Sequence, residues 1–220
     1  MNALAREGLE SRLARDLAAV GAPADERALD ALTGWLDLHA RWSRAFNLTG
    51  SRDPVELVDR HLLDAAAVAP LLPPGPVADV GSGAGLPGLV LALLDPQRPV
   101  TLVDSRAKRT RFLEEAVRVL GARNVRIVTD RIETWAADPH SAPAAVLARA
   151  VAPLPRLVAL LAPLLSRGVP LLAMKGPGWG EEAQGLGPQW AVTSVREYVL
   201  PADGSKRTLV TVCARREEEA

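Results

Sequence analysis

Apolar residues recur at helical spacing through the first part of the chain. Leu4, Leu9, Leu13, Leu17 and Val20 form one stripe, and Leu29, Leu32, Leu36, Leu38 and Trp42 form another beyond Ala22-Pro23. The pattern predicts two amphipathic helices. A third is predicted from Asp53-Pro54, where a capping carboxylate precedes a proline whose fixed φ suits the first helical position, to Leu71-Leu72. The cluster Pro73-Pro74-Gly75-Pro76 stops it and marks a boundary, which divides the chain into a helical extension (1–75) and a second unit (76–216).

From Val77 the pattern changes to short β-branched runs separated by helical ones. Strands are predicted at Val77 to Val80, Val100 to Val103, Val125 to Val128, Ala145 to Leu147 and Val169 to Ala173. The runs between them predict helices at Leu86 to Leu94, Lys108 to Leu120, near Ile132 to Ala136, and Leu154 to Leu165. Alternation of this kind builds a parallel sheet with helical crossovers. Two last runs, Val192 to Val199 and Thr208 to Ala214, are separated by a loop too short for a crossover helix, so they should pair antiparallel.

Composition narrows the class. The 220 residues, 48% of them hydrophobic, are enough for one sizeable core and an extension. Lys plus Arg (26) balance Asp plus Glu (26), so a nucleic-acid partner would have to be met by a local basic patch. Cys213 is the only cysteine, which excludes an internal disulfide and a cysteine-based zinc cluster, and His39 and His140 lack partners at ligand spacing, so no metal is expected. The charged opening segment reads as neither a signal peptide nor a membrane span. These features lead us to expect a cytoplasmic monomer without a membrane partner.

The candidate chemistry begins where the first strand ends, in Asp79-Val80-Gly81-Ser82-Gly83-Ala84-Gly85-Leu86-Pro87-Gly88. A glycine-dense turn opening into a helix lets a ligand lie against bare backbone, close to the unpaired N–H groups of the helix start. Asp104 ends the second strand about twenty residues on, the spacing at which a carboxylate reaches ribose hydroxyls in doubly wound folds. Two ligands compete for such a site, a dinucleotide and S-adenosyl-L-methionine. Asp79, just before the first glycine, suits the ammonium group of the second better than a pyrophosphate, and the terminal hairpin suits a seven-stranded methyltransferase sheet.

The chain resembles the bacterial small-subunit ribosomal RNA guanine-N7 methyltransferases, the RsmG or glucose-inhibited division protein B family. The matching pieces are Trp42 with Phe46-Asn47-Leu48-Thr49, Arg60-His61-Leu62-Leu63-Asp64, Asp79 through Gly88, Asp104-Ser105 with Lys108-Arg109, Arg131-Ile132-Glu133, Arg149-Ala150-Val151-Ala152 and Met174-Lys175-Gly176. The resemblance implies an α/β fold of the class I methyltransferase (Rossmann-like) type, mostly parallel and seven-stranded. It further implies that Gly81 and Leu86 line the methionine part of the cofactor, Asp104 the ribose, Ile132 and Glu133 the adenine edge, and Arg149 the inner wall. Gly83 and Gly85 belong to the same turn. The implied substrate is 16S ribosomal RNA, free or in the small ribosomal subunit.

Guanine N7 carries an in-plane lone pair, so its methylation needs alignment more than a general base. Arg149, at the end of the fourth strand, is accordingly the expected catalytic residue, shaping the pocket and reaching guanine O6. His61 is expected to be a packing residue. Lys175, followed by Gly176-Pro177-Gly178, is expected beside the substrate, and Arg106, Lys108 and Arg109 are candidates for phosphate contact. Arg41, Arg44, Arg52 and Arg60 offer a second basic edge beside Trp42 and Phe46. Trp35 and Trp42, seven apart on one helical face, are read as core.

Overall fold

The structure, a computed structural model, describes residues 3–44, 48–49 and 53–215. Phe46, Asn47 and Arg52 lie outside the described residues, as does the acidic run Glu217 to Glu219. Helices α1 (Ala3–Ala19) and α2 (Glu26–Trp42) form the extension with α3 (Pro54–Glu56), a π-helical segment (Leu57–Leu62) and α4 (Leu63–Ala67). Asp53 caps α3 as its sequence promises, accepting the Val55 N–H at 2.9 Å, and Asp25 caps α2 through the Ala28 N–H at 2.8 Å. The wide turn of the π segment carries Arg60 and His61.

Strands β1 (Val77–Val80), β2 (Val100–Val103), β3 (Val125–Val128), β4 (Ala145–Arg149) and β5 (Leu171–Lys175) are parallel. They alternate with α5 (Gly88–Leu94), α6 (Ala107–Leu120), α7 (Ile132–Ala137) and α8 (Leu154–Leu165). After α9 (Trp179–Gln184), β6 (Trp190–Val199) and β7 (Lys206–Ala214) close a seven-stranded sheet in the order β3-β2-β1-β4-β5-β7-β6. Because β7 runs antiparallel to both β5 and β6, the expected terminal hairpin enters the sheet by one arm and leaves the other at its edge.

Two cores cover the two faces of the sheet. Val77, Leu102, Leu147 and Leu172 pack with α2, α4, α5 and α6, whereas Ala78, Val103, Val146 and Ala173 pack with α7 and α8. Alternation along a strand therefore decides which layer each polar residue at a strand end meets. Arg149 shares the parity of Leu147 and turns toward the helical extension. Lys175 shares that of Ala173 and turns the opposite way. The extension is sealed to the sheet layer by aromatic contacts of α2 with Phe112 of α6, Trp42 lying edge-on to it at 5.6 Å and His39 at 6.4 Å.

Element boundaries depart from the sequence reading in a few places. Helix α5 starts at Gly88 rather than Leu86, because Gly85 adopts φ +88 and holds the preceding residues in a turn. Strand β5 is Leu171–Lys175 rather than Val169 to Ala173, since Gly168 at φ +86 and the donor-less Pro170 delay the ladder. The helix α9 was not expected at all.

Candidate active site

Strands β1, β2 and β4 deliver Gly81, Asp104 and Arg149 to one edge of the sheet, beside the point where strand order reverses between β1 and β4. The glycine turn is anchored there by its own backbone. Gly81 N–H donates to the Val103 carbonyl at 2.7 Å, and the Ser82 hydroxyl donates to the Asp79 carbonyl at 2.8 Å. Gly81 (φ +70) and Gly83 (φ +57) adopt backbone angles that side chains disfavour, for different ends. A Cβ on Gly81 would lie 2.7 Å from Val151 Cγ2, whereas around Gly83 the nearest atoms are 3.8 Å away. One glycine permits packing and the other leaves an open wall. From behind, the indole N–H of fully buried Trp35 donates to the Ala84 carbonyl at 3.1 Å, so the helical extension braces the turn directly.

That wall faces a cavity of about 480 Å³ lined by Gly81, Ser82, Gly83, Leu86, Arg106 and Arg109, with Leu48, Thr49, His61 and Arg149 around the rim. Its size suits a nucleoside ligand. Beneath it, Asp104 is 3% exposed and both its oxygens are engaged. Oδ1 accepts the Arg106 N–H at 2.9 Å, and Oδ2 accepts the Gly83 N–H at 3.0 Å and the Arg109 guanidinium at 3.2 Å. Asp104 thus lies behind the cavity wall formed by Gly83, Arg106 and Arg109, with the Arg109 guanidinium on Oδ2.

Asp79 requires a correction. It shares the strand parity of Val77, turns under α5, and no part of it is exposed, so it does not line the cavity where an ammonium group was expected to meet it. Its Oδ2 accepts the Gly88 N–H at 2.9 Å, close enough that a Cβ on Gly88 would lie 2.7 Å from Asp79 Cβ. Oδ1 has no hydrogen-bond partner. Burial raises its pKa to about 7, against the lowering effect of the Gly88 N–H and of Arg149. Ile132 and Glu133 also stand away from this cavity. They begin α7, where exposed Glu133 pairs with Arg131 at 3.6 Å.

The rim at Thr49 is tied to a buried imidazole. His39 Nε2 lies 3.0 Å from the Thr49 hydroxyl and Nδ1 3.2 Å from that of Ser43. Burial lowers its pKa to about 4, so it is neutral at physiological pH and acts as a bridge between two hydroxyls.

A second cavity of about 400 Å³, lined by Glu56, Asp64, Lys175, Tyr198 and Arg207, shares His61, Arg149 and Ala150 with the first. Arg149 Nη1 donates to Asp64 Oδ2 at 3.2 Å, and both its terminal nitrogens lie 3.2 Å from His61 Nδ1. A guanidinium has only donors, so His61 Nδ1 accepts and its proton sits on Nε2. Burial and the neighbouring Arg149 charge both lower the His61 pKa. Lys175 reaches the second cavity but is held by Glu182 Oε2 at 2.7 Å and the Ala152 carbonyl at 2.9 Å. Burial raises the Glu182 pKa, yet hydrogen bonds from Lys175 and from the Leu154 N–H outweigh it and the net shift is downward.

Of the sequence-derived candidates, Gly81, Gly83, Leu86, Arg106, Arg109 and Arg149 converge on the first cavity and Lys175 on the second. Gly85 packs against Leu89 behind the wall, and Lys108 lies on the exposed side of α6. Sequence reasoning assigned no role to Trp35 beyond the core, nor to Asp64, Tyr198, His39 or Glu182. The available signal was general: a buried tryptophan or tyrosine needs a partner for its N–H or O–H. Among the described residues no three His, Cys, Asp or Glu side chains gather to hold a metal ion, and no helix is long and apolar enough to cross a membrane.

Comparison with known proteins gives a consistent picture. Residues 28–210 match the family described as rRNA small subunit methyltransferase G, or GidB. The chain is 46% identical over 209 residues to the ribosomal RNA small subunit methyltransferase G of Halorhodospira halophila, covering 94% of this chain and 96% of that one. To the protein of the same name from Chromohalobacter salexigens it is 41% identical over 201 residues, 91% and 95% of the two chains. Among solved structures, a mutant of MtNAS in complex with S-adenosylmethionine matches with TM-score 0.53 at 14% identity, over 94% of this chain and 78% of that one. The ribosomal protein L11 methylase of Lactobacillus delbrueckii subsp. bulgaricus matches with TM-score 0.51 at 15% identity, over 71% and 79%. These two likenesses concern the fold.

Proposed function

The chain belongs to the rRNA small subunit methyltransferase G family, and from that premise we propose that it transfers a methyl group from S-adenosyl-L-methionine to N7 of one guanine in small-subunit ribosomal RNA. The observation that carries this reading is Arg149, a guanidinium in the wall that two cavities share, one of them bounded by the glycine turn. The first cavity is the cofactor side and the second the acceptor side. Membership also decides between the two ligands left open by the turn itself, in favour of the sulfonium compound.

Gly81, Ser82, Gly83 and Leu86 would hold the methionine portion against the open wall. Asp104 would take the ribose in exchange for Arg109. The bound cofactor supplies a methyl group on a positively charged sulfur. The protein then has to align a lone pair that already exists, and His61, whose Nδ1 is engaged by Arg149, is not required as a base. Held by Asp64 and His61, the guanidinium is presented in a fixed orientation toward the acceptor and is suited to donate to guanine O6.

RNA is gripped from the cofactor mouth outward. Packing of Trp42 on Phe112 sets the end of α2, with exposed Arg41 and Arg44, beside the start of α6, with exposed Arg106, Lys108 and Arg111. Arg41 and Arg44 of the second basic edge therefore adjoin the first, whereas Arg60 stands on the π segment paired with Glu56; binding through the adjoining arginines and lysine should weaken steeply with salt.

The test is to incubate the protein and methyl-labelled cofactor with undermethylated small subunits and, separately, with stripped RNA, and then map labelled bases by chemical cleavage and mass spectrometry. Label at N7 of one guanine is the expected result. Label on an exocyclic amino group, on a pyrimidine, or nowhere would refute it.

A further inference from the structure

Tyr198, on the C-terminal hairpin, is hydrogen-bonded to the guanidinium network. Its hydroxyl donates to Asp64 Oδ1 at 2.8 Å, across 134 residues of sequence. The other oxygen of Asp64, Oδ2, holds Arg149 Nη1 at 3.2 Å. Asp64 is 5% exposed, so each oxygen depends on the partner the protein provides. We infer that Tyr198 is a positioning residue for methyl transfer: by occupying one oxygen of Asp64 it fixes the carboxylate plane, and so the direction in which Asp64 holds Arg149 between the two cavities. The inference rests on the reading of Arg149 given above.

The physical reason lies in the geometry of carboxylate and guanidinium. A carboxylate with both oxygens available pairs with an arginine in a two-pronged arrangement, side by side. Here the tyrosine holds Oδ1 and fixes the plane of the carboxylate, and Arg149 makes a single bond, to Oδ2. Nη2 then turns toward His61 Nδ1, 3.2 Å away, and the face of the guanidinium stays at the boundary of the cavities. Removing the hydroxyl would leave a buried acceptor unsatisfied, and Asp64 would rotate to recover a donor from Arg149 itself. Burial and the Asp64 carboxylate both raise the Tyr198 pKa, which keeps the hydroxyl a donor throughout the physiological range.

The deciding experiment is a double-mutant cycle of Tyr198→Phe and Arg149→Lys, with methyl transfer to undermethylated small subunits followed at saturating and limiting S-adenosylmethionine. Tyr198→Phe is expected to lower kcat about tenfold, the scale of a hydrogen bond to a charged group, with KM for the cofactor within about twofold of the parent. In the Arg149→Lys background the same change should cost less than about twofold, because the group it positions is gone. Equal losses in both backgrounds, or no loss in either, would overturn the inference. A second measurement needs no substrate: rotation of the Arg149 guanidinium, followed through its Nε–H signal by nitrogen NMR, should change markedly in Tyr198→Phe, and identical signals would overturn the inference. If the parent protein transfers no methyl group to guanine N7, the functional reading fails, and the NMR comparison still decides the role of Tyr198.

Discussion

Replacing Gly81 or Gly83 with alanine separates the two uses of the glycine turn. At Gly81 two costs add. The left-handed backbone at φ +70 costs an L-residue about 1–2 kcal/mol, and the new Cβ would sit 2.7 Å from Val151 Cγ2. Relieving that overlap in a packed region costs about 1–3 kcal/mol. At Gly83 the backbone term is similar, with φ +57, but the nearest atom is 3.8 Å away and the packing term vanishes. A chain of this size loses about 2–4 °C of Tm per kcal/mol, so Gly81→Ala should lower Tm by about 10 °C and Gly83→Ala by about 4 °C. Cofactor binding should follow another order. The Gly83 methyl stands on the wall of the cavity, and calorimetry with S-adenosylhomocysteine should show an affinity loss of tenfold or more, roughly 1.4 kcal/mol, despite the modest Tm change. Equal Tm losses, or parental affinity in Gly83→Ala, would refute the division of the turn into a packed side and an open side.

Three further outcomes follow from the same geometry. Trp35→Phe keeps the aromatic packing but orphans the Ala84 carbonyl; urea unfolding should show a loss of about 1 kcal/mol with a parallel loss of cofactor affinity, and unchanged affinity would deny the brace. Asp79 has its native pKa raised from 3.8 to about 7 by burial, so the native state binds the extra proton and its contribution falls as pH rises from about 4 to about 7. Relative to the parent, Asp79→Asn should therefore gain stability across that window, on the order of 4 kcal/mol at most, as read from urea midpoints at pH 5 and pH 8. The opposite effect of His39, whose pKa is lowered from 6.5 to about 4, cancels in the comparison. Arg109→Met frees Asp104 Oδ2 from its ion pair; cofactor affinity should rise by about two- to fivefold, the scale of a partly exposed pair, and a weaker complex would show that Arg109 itself holds the ligand.

Much of this protein was readable one residue at a time. Helical stripes in the extension, the proline stop, the alternating β-branched runs and the final hairpin follow from periodicity and turn chemistry, which act over a few residues. The glycine turn, Asp104 and Arg149 were also legible, because strand ends in such sheets bring their polar residues to one edge. Local pattern carries no record of how a polar residue is satisfied by a distant one. Asp79 looked like a ligand and is a buried partner of Gly88, since strand parity turns it under α5. Asp104 looked available for ribose, and its last oxygen is held by Arg109. Lys175 is spoken for by Glu182, on a helix that short polar sequence did not announce.

The amino-acid order alone determined the elements, their alternation and the candidates at the strand ends, since each depends on neighbours within a turn or a strand. Only tertiary structure decided that α2 braces the glycine turn through Trp35, that Arg149 lines two cavities, and that Tyr198 of the last hairpin meets Asp64 of α4. Those contacts join residues that no period connects, and they exist because a buried donor or acceptor must find its partner wherever the packed chain has placed one.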